Sequence, residues 1–285
     1  MVTTLLLVAT FAVACVAAVR STWSPCGLSM LSTITPFGER GRGHRYGVTV
    51  GWFVVGAVFG GLTLGAFAAA LAALAAAIAP SSVVVGTCAL GATLVALCSD
   101  AGLAGIRLPV HHRQVNERWL DAYRPWVYGA GFGWQIGTGL ATYITTAAVY
   151  LMVVLCALSG EPAGALAVGG VFGLVRGLAV TLTRQVSSPA ALPELHRRLA
   201  AAAPRADRLV LIALAGTAVA LMAALRSVSS VVVLVGVGTA ALVLGAATGR
   251  LRRHGRLRAA DGVTCPAGAD RHLDRPTAPG SVLPG

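Results

Sequence analysis

The chain has 285 residues, of which 56% are hydrophobic and 11% charged, and its mean hydropathy is +0.78. That much apolar surface cannot be hidden in one water-soluble core, so the composition excludes a soluble domain and places the chain in a bilayer. All 22 basic residues are Arg, set against 10 acidic ones for a net charge of +12, and they lie between apolar runs rather than on a polar face among stacking aromatics. This is the pattern of basic cytoplasmic loops, and no nucleic acid is expected as a partner.

Seven apolar runs are long enough to be read as crossing a bilayer whose core takes about 20 helical residues. The first, Thr3 to Pro36, opens without a positive segment before it, and Cys15 follows Ala-Val-Ala in a poor lipoprotein context. It is therefore read as a retained span rather than a cleaved leader. At 1.5 Å per residue it would extend about 50 Å, so it must tilt, break or re-enter. Ser24-Pro25-Cys26-Gly27 provides the break, because proline removes an internal hydrogen bond and clashes with the preceding turn. A link carrying Arg40, Arg42, His44 and Arg45 leads to the second run, Val48 to Ile78, and Pro80-Ser81-Ser82 leads to the third, Ser82 to Leu97.

The long link from Asp100 to Arg124 holds four Arg together with His111, His112, Glu117, Asp121 and Trp119. With no third ligand at metal spacing, it reads as an interfacial loop, and no metal is expected. The fourth run, Trp126 to Leu158, is again too long for one straight helix, and Gly129, Gly131, Gly133, Gly137 and Gly139 are its weak points. Ser159-Gly160-Glu161-Pro162, without Arg, leads to the fifth run, Ala163 to Thr183, in which Arg176 is the one charge well inside an apolar span. It either lines a substrate path or snorkels toward the surface near Arg184. Five Arg mark the link from Arg184 to Arg208; the sixth and seventh runs are Leu209 to Leu225 and Val228 to Ala247. The tail from 250 to 285 is basic, then rich in Pro and Gly, and is read as disordered outside a transmembrane domain of 1–249.

Arg-rich and Arg-free links alternate, which predicts a multi-pass protein of the inner (cytoplasmic) membrane with its N-terminus outside and its C-terminus in the cytoplasm. The halves also match each other. "CGLSMLSTIT" from Cys26 lies over "IGTGLATYIT" from Ile136, and "VGAVFGGL" from Val55 over "VGGVFGLV" from Val168. The fold class expected is thus an all-α polytopic membrane protein with two inverted three-helix repeats, about 1–99 and 126–225, plus one extra C-terminal span. Inverted repeats with a broken first helix are a transporter signature, with the site at the breaks. The alternative is that Gly and Val recur because small residues let helices pack closely.

The candidate site residues are Cys26 as a redox thiol, with Pro25, Thr33, Gln135, Thr145 and Arg176 as substrate-binding groups. The other cysteines form no CxxC pair and read as small hydrophobes. There is no P-loop, HExxH or nucleophile elbow, so no cofactor and no enzyme chemistry beyond thiol exchange are expected.

The Ser-Pro-Cys break, a second proline at Pro36, the Arg-rich link and the Gly-rich second span resemble the CcdA/DsbD transmembrane family of the LysE-type transporter group. The resemblance covers roughly residues 1 to 225. It implies two inverted repeats with a cysteine in the first helix of each, and reducing equivalents passed outward from thioredoxin-like partners. Ile136 stands where the second cysteine belongs, which removes the resolving sulfur. A small-solute or ion exporter and a non-transporting membrane scaffold remain as alternatives.

Overall fold

The computed structural model describes residues 2–103, 123–139 and 144–225. The chain divides into two compact units, Met1–Ala247 and Thr248–Gly285, and the described residues belong to the first. The proposed seventh span, the tail and the His111-His112 loop lie outside the described residues.

Among the described residues all regular structure is helical. In chain order it comprises α1 (Val2–Arg20), a 3-10 turn (Ser21–Trp23), α2 (Pro25–Thr33), α3 (Pro36–Gly41), α4 (Tyr46–Ile78) and α5 (Ser82–Asp100). These are followed by α6 (Pro125–Thr138), α7 (Ala148–Ser159), α8 (Pro162–Leu178), a 3-10 stretch (Ala179–Gln185) and α9 (Ala191–Ala224). Among the described residues five segments are long and apolar enough to cross a membrane: Thr3–Trp23, Tyr46–Ile78, Ser82–Asp100, Pro162–Gln185 and Ala191–Ala224. The fourth run, too long for one straight helix, contains two: α6 and α7 have 14 and 12 residues, and neither alone reaches across a hydrocarbon core of about 30 Å.

The first break falls where the proline predicts it. Ser24 adopts an extended backbone and accepts a hydrogen bond from the Gly27 amide at 3.1 Å, while Pro25 occupies the first helical position, where its missing N–H costs nothing. Thr35 and Pro36 repeat the device at the start of α3.

α4 is the central post, and its glycines explain why. A Cβ at Gly56 would run into the backbone of Ala130 on α6, and one at Gly61 into the Gly169 carbonyl on α8. In return, Gly133 and Gly137 of α6 and Gly173 of α8 press on the carbonyls of Phe53 and Ala57. Backbones therefore touch with no side chain between them, the packing that compensates for the lack of a hydrophobic drive between helices in lipid. This corrects the reading of the α6 glycines as weak points: only Gly139, at φ +69, ends the helix.

The link from Arg184 to Arg208 is also corrected, since α9 begins at Ala191 and is helical through it. Glu194 pairs with Arg197 and Arg198 one turn on, and the Ala-rich stretch favours helix even around Pro204. Two apolar clusters result. The larger joins α1, α4, α5, α7, α8 and α9, and the smaller gathers Met30, Ile34, Phe53, Tyr128, Phe132, Ile136 and Val180.

Candidate functional site

The two breaks meet. Ser21, Thr22 and Gly27 from the first, Ile136 from the end of α6 and Arg176 from α8 line one small cavity of about 20 Å³, with Phe53 and Met30 among its apolar walls. That is room for a single water-sized group. Gly139, just past the end of α6, lies so close to Phe172 and to the Arg176 guanidinium that a Cβ there would sit 2.8 Å from the ring. Its positive φ and this close approach both require glycine.

Arg176 is 4% exposed, enclosed by the helices around it. Its guanidinium carbon lies 5.6 Å from the Phe172 ring centroid, a cation–π contact, and Cys26 is within electrostatic reach. Its Nη2 is buried and has no hydrogen-bond partner among the described residues. A buried charge left incompletely paired is costly, and such a group in a native fold calls for an explanation.

The other expected site residues separate into those the structure brings here and those it does not. Cys26 is buried at the second position of α2, beside the cavity, whose wall is formed by its neighbour Gly27. Pro25 is exposed and starts the helix. Thr33 hydrogen-bonds back to the carbonyls of Ser29 and Met30 in its own helix, as hydroxyls in bilayer helices do. Gln135 is half-buried and does not line the cavity. Thr145 lies between α6 and α7, and its Oγ1 is buried without a partner.

Two acidic groups escaped the sequence reading. Glu39, on α3, is fully buried and accepts hydrogen bonds from Tyr128 of α6 (2.6 Å), from Thr49 of α4 (2.5 Å) and from Arg42 (3.2 Å). Arg42 also donates to the Thr33 carbonyl at the end of α2, and His44 lies 3.3 Å from the Tyr128 hydroxyl. The Arg-rich link between the first two runs is thus a clamp that ties α2, α3, α4 and α6 together around one carboxylate. Asp100, read as part of a loop, ends α5 and reaches the second break. It accepts from the Ala147 amide (2.7 Å) and from Thr146 Oγ1 (2.5 Å), so α7 is capped by a residue of another helix. Arg20 at the end of α1 lies near Asp100 and forms an ion pair with Asp207 of α9.

Comparison with curated proteins finds relatives called methylamine utilization protein MauF. The protein from Paracoccus denitrificans is 31% identical over 172 residues, covering 57% of this chain and 58% of the relative. That from Paracoccus versutus is 28% identical over 172 residues, covering 57% and 60%. That from Methylophilus methylotrophus is 28% identical over 215 residues, covering 71% of each. The chain therefore spans less than two thirds of the length of the first two. No protein-family model matches the chain, and no solved structure matches it.

These relatives overturn the resemblance to the CcdA/DsbD family. The physical reason is that its one motif-like element was generic. Ser24-Pro25 is the ordinary cap-then-proline start of a helix and would stand before any residue at position 26.

Proposed function

We propose that the chain is a membrane-embedded accessory protein of methylamine utilization, transporter-like in construction, that works through the cavity where the two helix breaks meet Arg176. The relatives' names support the process, and five segments apolar enough to span support the setting. The observation that carries the reading is the buried Arg176, whose Nη2 has no partner and lines a space bounded by both breaks. A positive charge held there suits a small anion, or the anionic group of a small solute, as the species handled.

On this reading the matching strings "VGAVFGGL" and "VGGVFGLV" belong to equivalent helices of two inverted repeats, α4 and α8, which cross at Gly61 and Gly169. The Arg-rich links lie on the cytoplasmic side of the inner membrane, with the N-terminus outside. α1 and α5, at 19 residues each, then extend about 28 Å, close to the thickness of the hydrocarbon core. Arg20, Asp100 and Asp207 mark its inner boundary.

The test is genetic. Deleting the gene should abolish growth of the host on methylamine while leaving growth on other substrates intact. A plasmid copy should restore growth, and an Arg176→Ala copy present in membranes at the same level should not. Unimpaired growth of the deletion strain on methylamine would sink the assignment to that process; full rescue by Arg176→Ala would sink the site.

A second reading, reducing equivalents passed through Cys26 to a thioredoxin-like partner, is favoured by the burial of Cys26 at the second position of α2, next to Gly27 in the wall of the same cavity. It requires the partner to supply the second sulfur, because the position aligned with Cys26 is Ile136. Rescue by Cys26→Ser separates the two: growth restored leaves solute handling, and growth lost leaves the thiol.

A further inference from the structure

α8 gives way to a 3-10 stretch at Ala179, and the chain turns back into α9 at Ala191. Between these two segments lies a cavity of about 590 Å³, within the range of small-molecule sites. Its walls include Leu182, Val186, Leu195 and Leu199, and Arg184 and Arg198 come from its opposite sides. The wall contributed by α9 is pinned in place: the Trp23 indole donates to the Leu199 carbonyl at 2.8 Å, and His196 meets Ser32 at 3.1 Å.

The charge around this cavity is unbalanced. Glu194 also lines it and pairs with both Arg197 and Arg198, so one carboxylate serves two guanidinium groups, and Arg184 adds a further positive charge. Farther along α9, Arg205 and Arg208 are exposed just before the apolar stretch that begins at Leu209. The cavity therefore lies where apolar helix gives way to basic helix, the level at which hydrocarbon meets headgroups. A site with an apolar floor and arginines at its mouth matches a molecule with an acyl chain below and a phosphodiester above.

We propose that this cavity is a binding site for an anionic phospholipid of the leaflet on the Arg-rich side, with the phosphate held by Arg184 and Arg198 and an acyl chain against Leu182, Val186, Leu195 and Leu199. The inference does not rest on the proposed function, since it uses neither Arg176 nor methylamine.

Native mass spectrometry of the full-length protein in a non-ionic detergent tests it, with phosphatidylglycerol titrated against phosphatidylcholine of the same acyl composition. Wild type should bind the phosphatidylglycerol more tightly. The double variant R184Q/R198Q should lose affinity for it by roughly 30-fold, as two basic residues beside an anionic headgroup imply. R205Q/R208Q, which removes equal charge outside the cavity, should bind as wild type does. Both pairs are exposed, so neither change threatens the fold. Ala202→Trp, which fills the cavity without altering charge, should also abolish binding. Equal binding of the two lipids, or a double variant that binds phosphatidylglycerol unchanged, overturns the proposal. Displacement of the lipid by inorganic phosphate overturns it too, by revealing a site for free phosphate.

Discussion

The Glu39 clamp gives a prediction whose size can be worked out. Replacing Glu39 by Ala removes an acceptor shared by Tyr128, Thr49 and Arg42; the first two are fully buried, whereas the Arg42 side chain is partly exposed. Arg42 can turn to solvent, so the cost lies in the two orphaned hydroxyls, at about 1–3 kcal/mol each, or about 2–5 kcal/mol together, eased where they rotate toward each other or toward His44. At about 2–4 °C per kcal/mol for a protein of this size, thermal unfolding in detergent should occur roughly 10 °C earlier. Glu39→Gln keeps the shape and one acceptor but sets an amide donor against other donors, so it should lose about 1–3 kcal/mol. Pairing each change with Tyr128→Phe in a double-mutant cycle should show a coupling of about 0.5–3 kcal/mol, because the two residues share a hydrogen bond. The assay is unfolding followed by a thiol-reactive dye, using the buried Cys26 and Cys156 as reporters. If Glu39→Ala unfolds within a degree or two of wild type, the reasoning that this carboxylate holds α3, α4 and α6 together is wrong.

Three further outcomes follow from the same structure. Arg176→Met should leave unfolding in detergent unchanged or raise stability by about 1–4 kcal/mol, since it replaces an incompletely paired buried charge by an apolar side chain, while rescue of growth on methylamine is lost. A marked loss of stability would mean that the arginine is structural. Gly133→Leu should prevent accumulation of folded protein in membranes, because a side chain there meets the Phe53 carbonyl, whereas Gly91→Leu, with open space around it, should accumulate normally; quantitative blotting of membranes reads both. Asp100→Ala should cost about 1 kcal/mol through loss of the α7 cap and Asp100→Asn clearly less, as measured by the same unfolding assay.

What was legible in the sequence follows from how far apart the interacting residues are. The first break could be read because its parts are consecutive: Ser24 caps, Pro25 starts, and the geometry needs nothing from elsewhere. Arg176 stood out because its surroundings in the chain are apolar, and it is buried in the fold as well. The α6 glycines were visible but misread, since spacing of four suits a hinge and a packing face equally until the partner helix is known. Glu39 was hidden by its own neighbours. Flanked by Arg40, Arg42 and Arg45, it looks solvated, and the hydroxyl that buries it lies on Tyr128, 89 positions away. Asp100 was hidden in the same way, because the amide it caps is 47 positions on.

The contrast between the two buried charges bears on the proposed site. Glu39 has acceptor sites on both oxygens occupied, so its burial is explained by the helices it joins and leaves nothing for a ligand to add. Arg176 is buried to a similar degree, yet its Nη2 has no partner. A fold able to surround one carboxylate with three donors has not failed to solve the same problem at Arg176, because Cys26, Phe172 and both breaks already converge there. On the proposed reading the missing partner is a bound anion, whose arrival would recover the energy spent on leaving the guanidinium incompletely satisfied. That is why the Arg176→Met variant, expected to gain stability as it loses activity, discriminates best between a structural arginine and a working one.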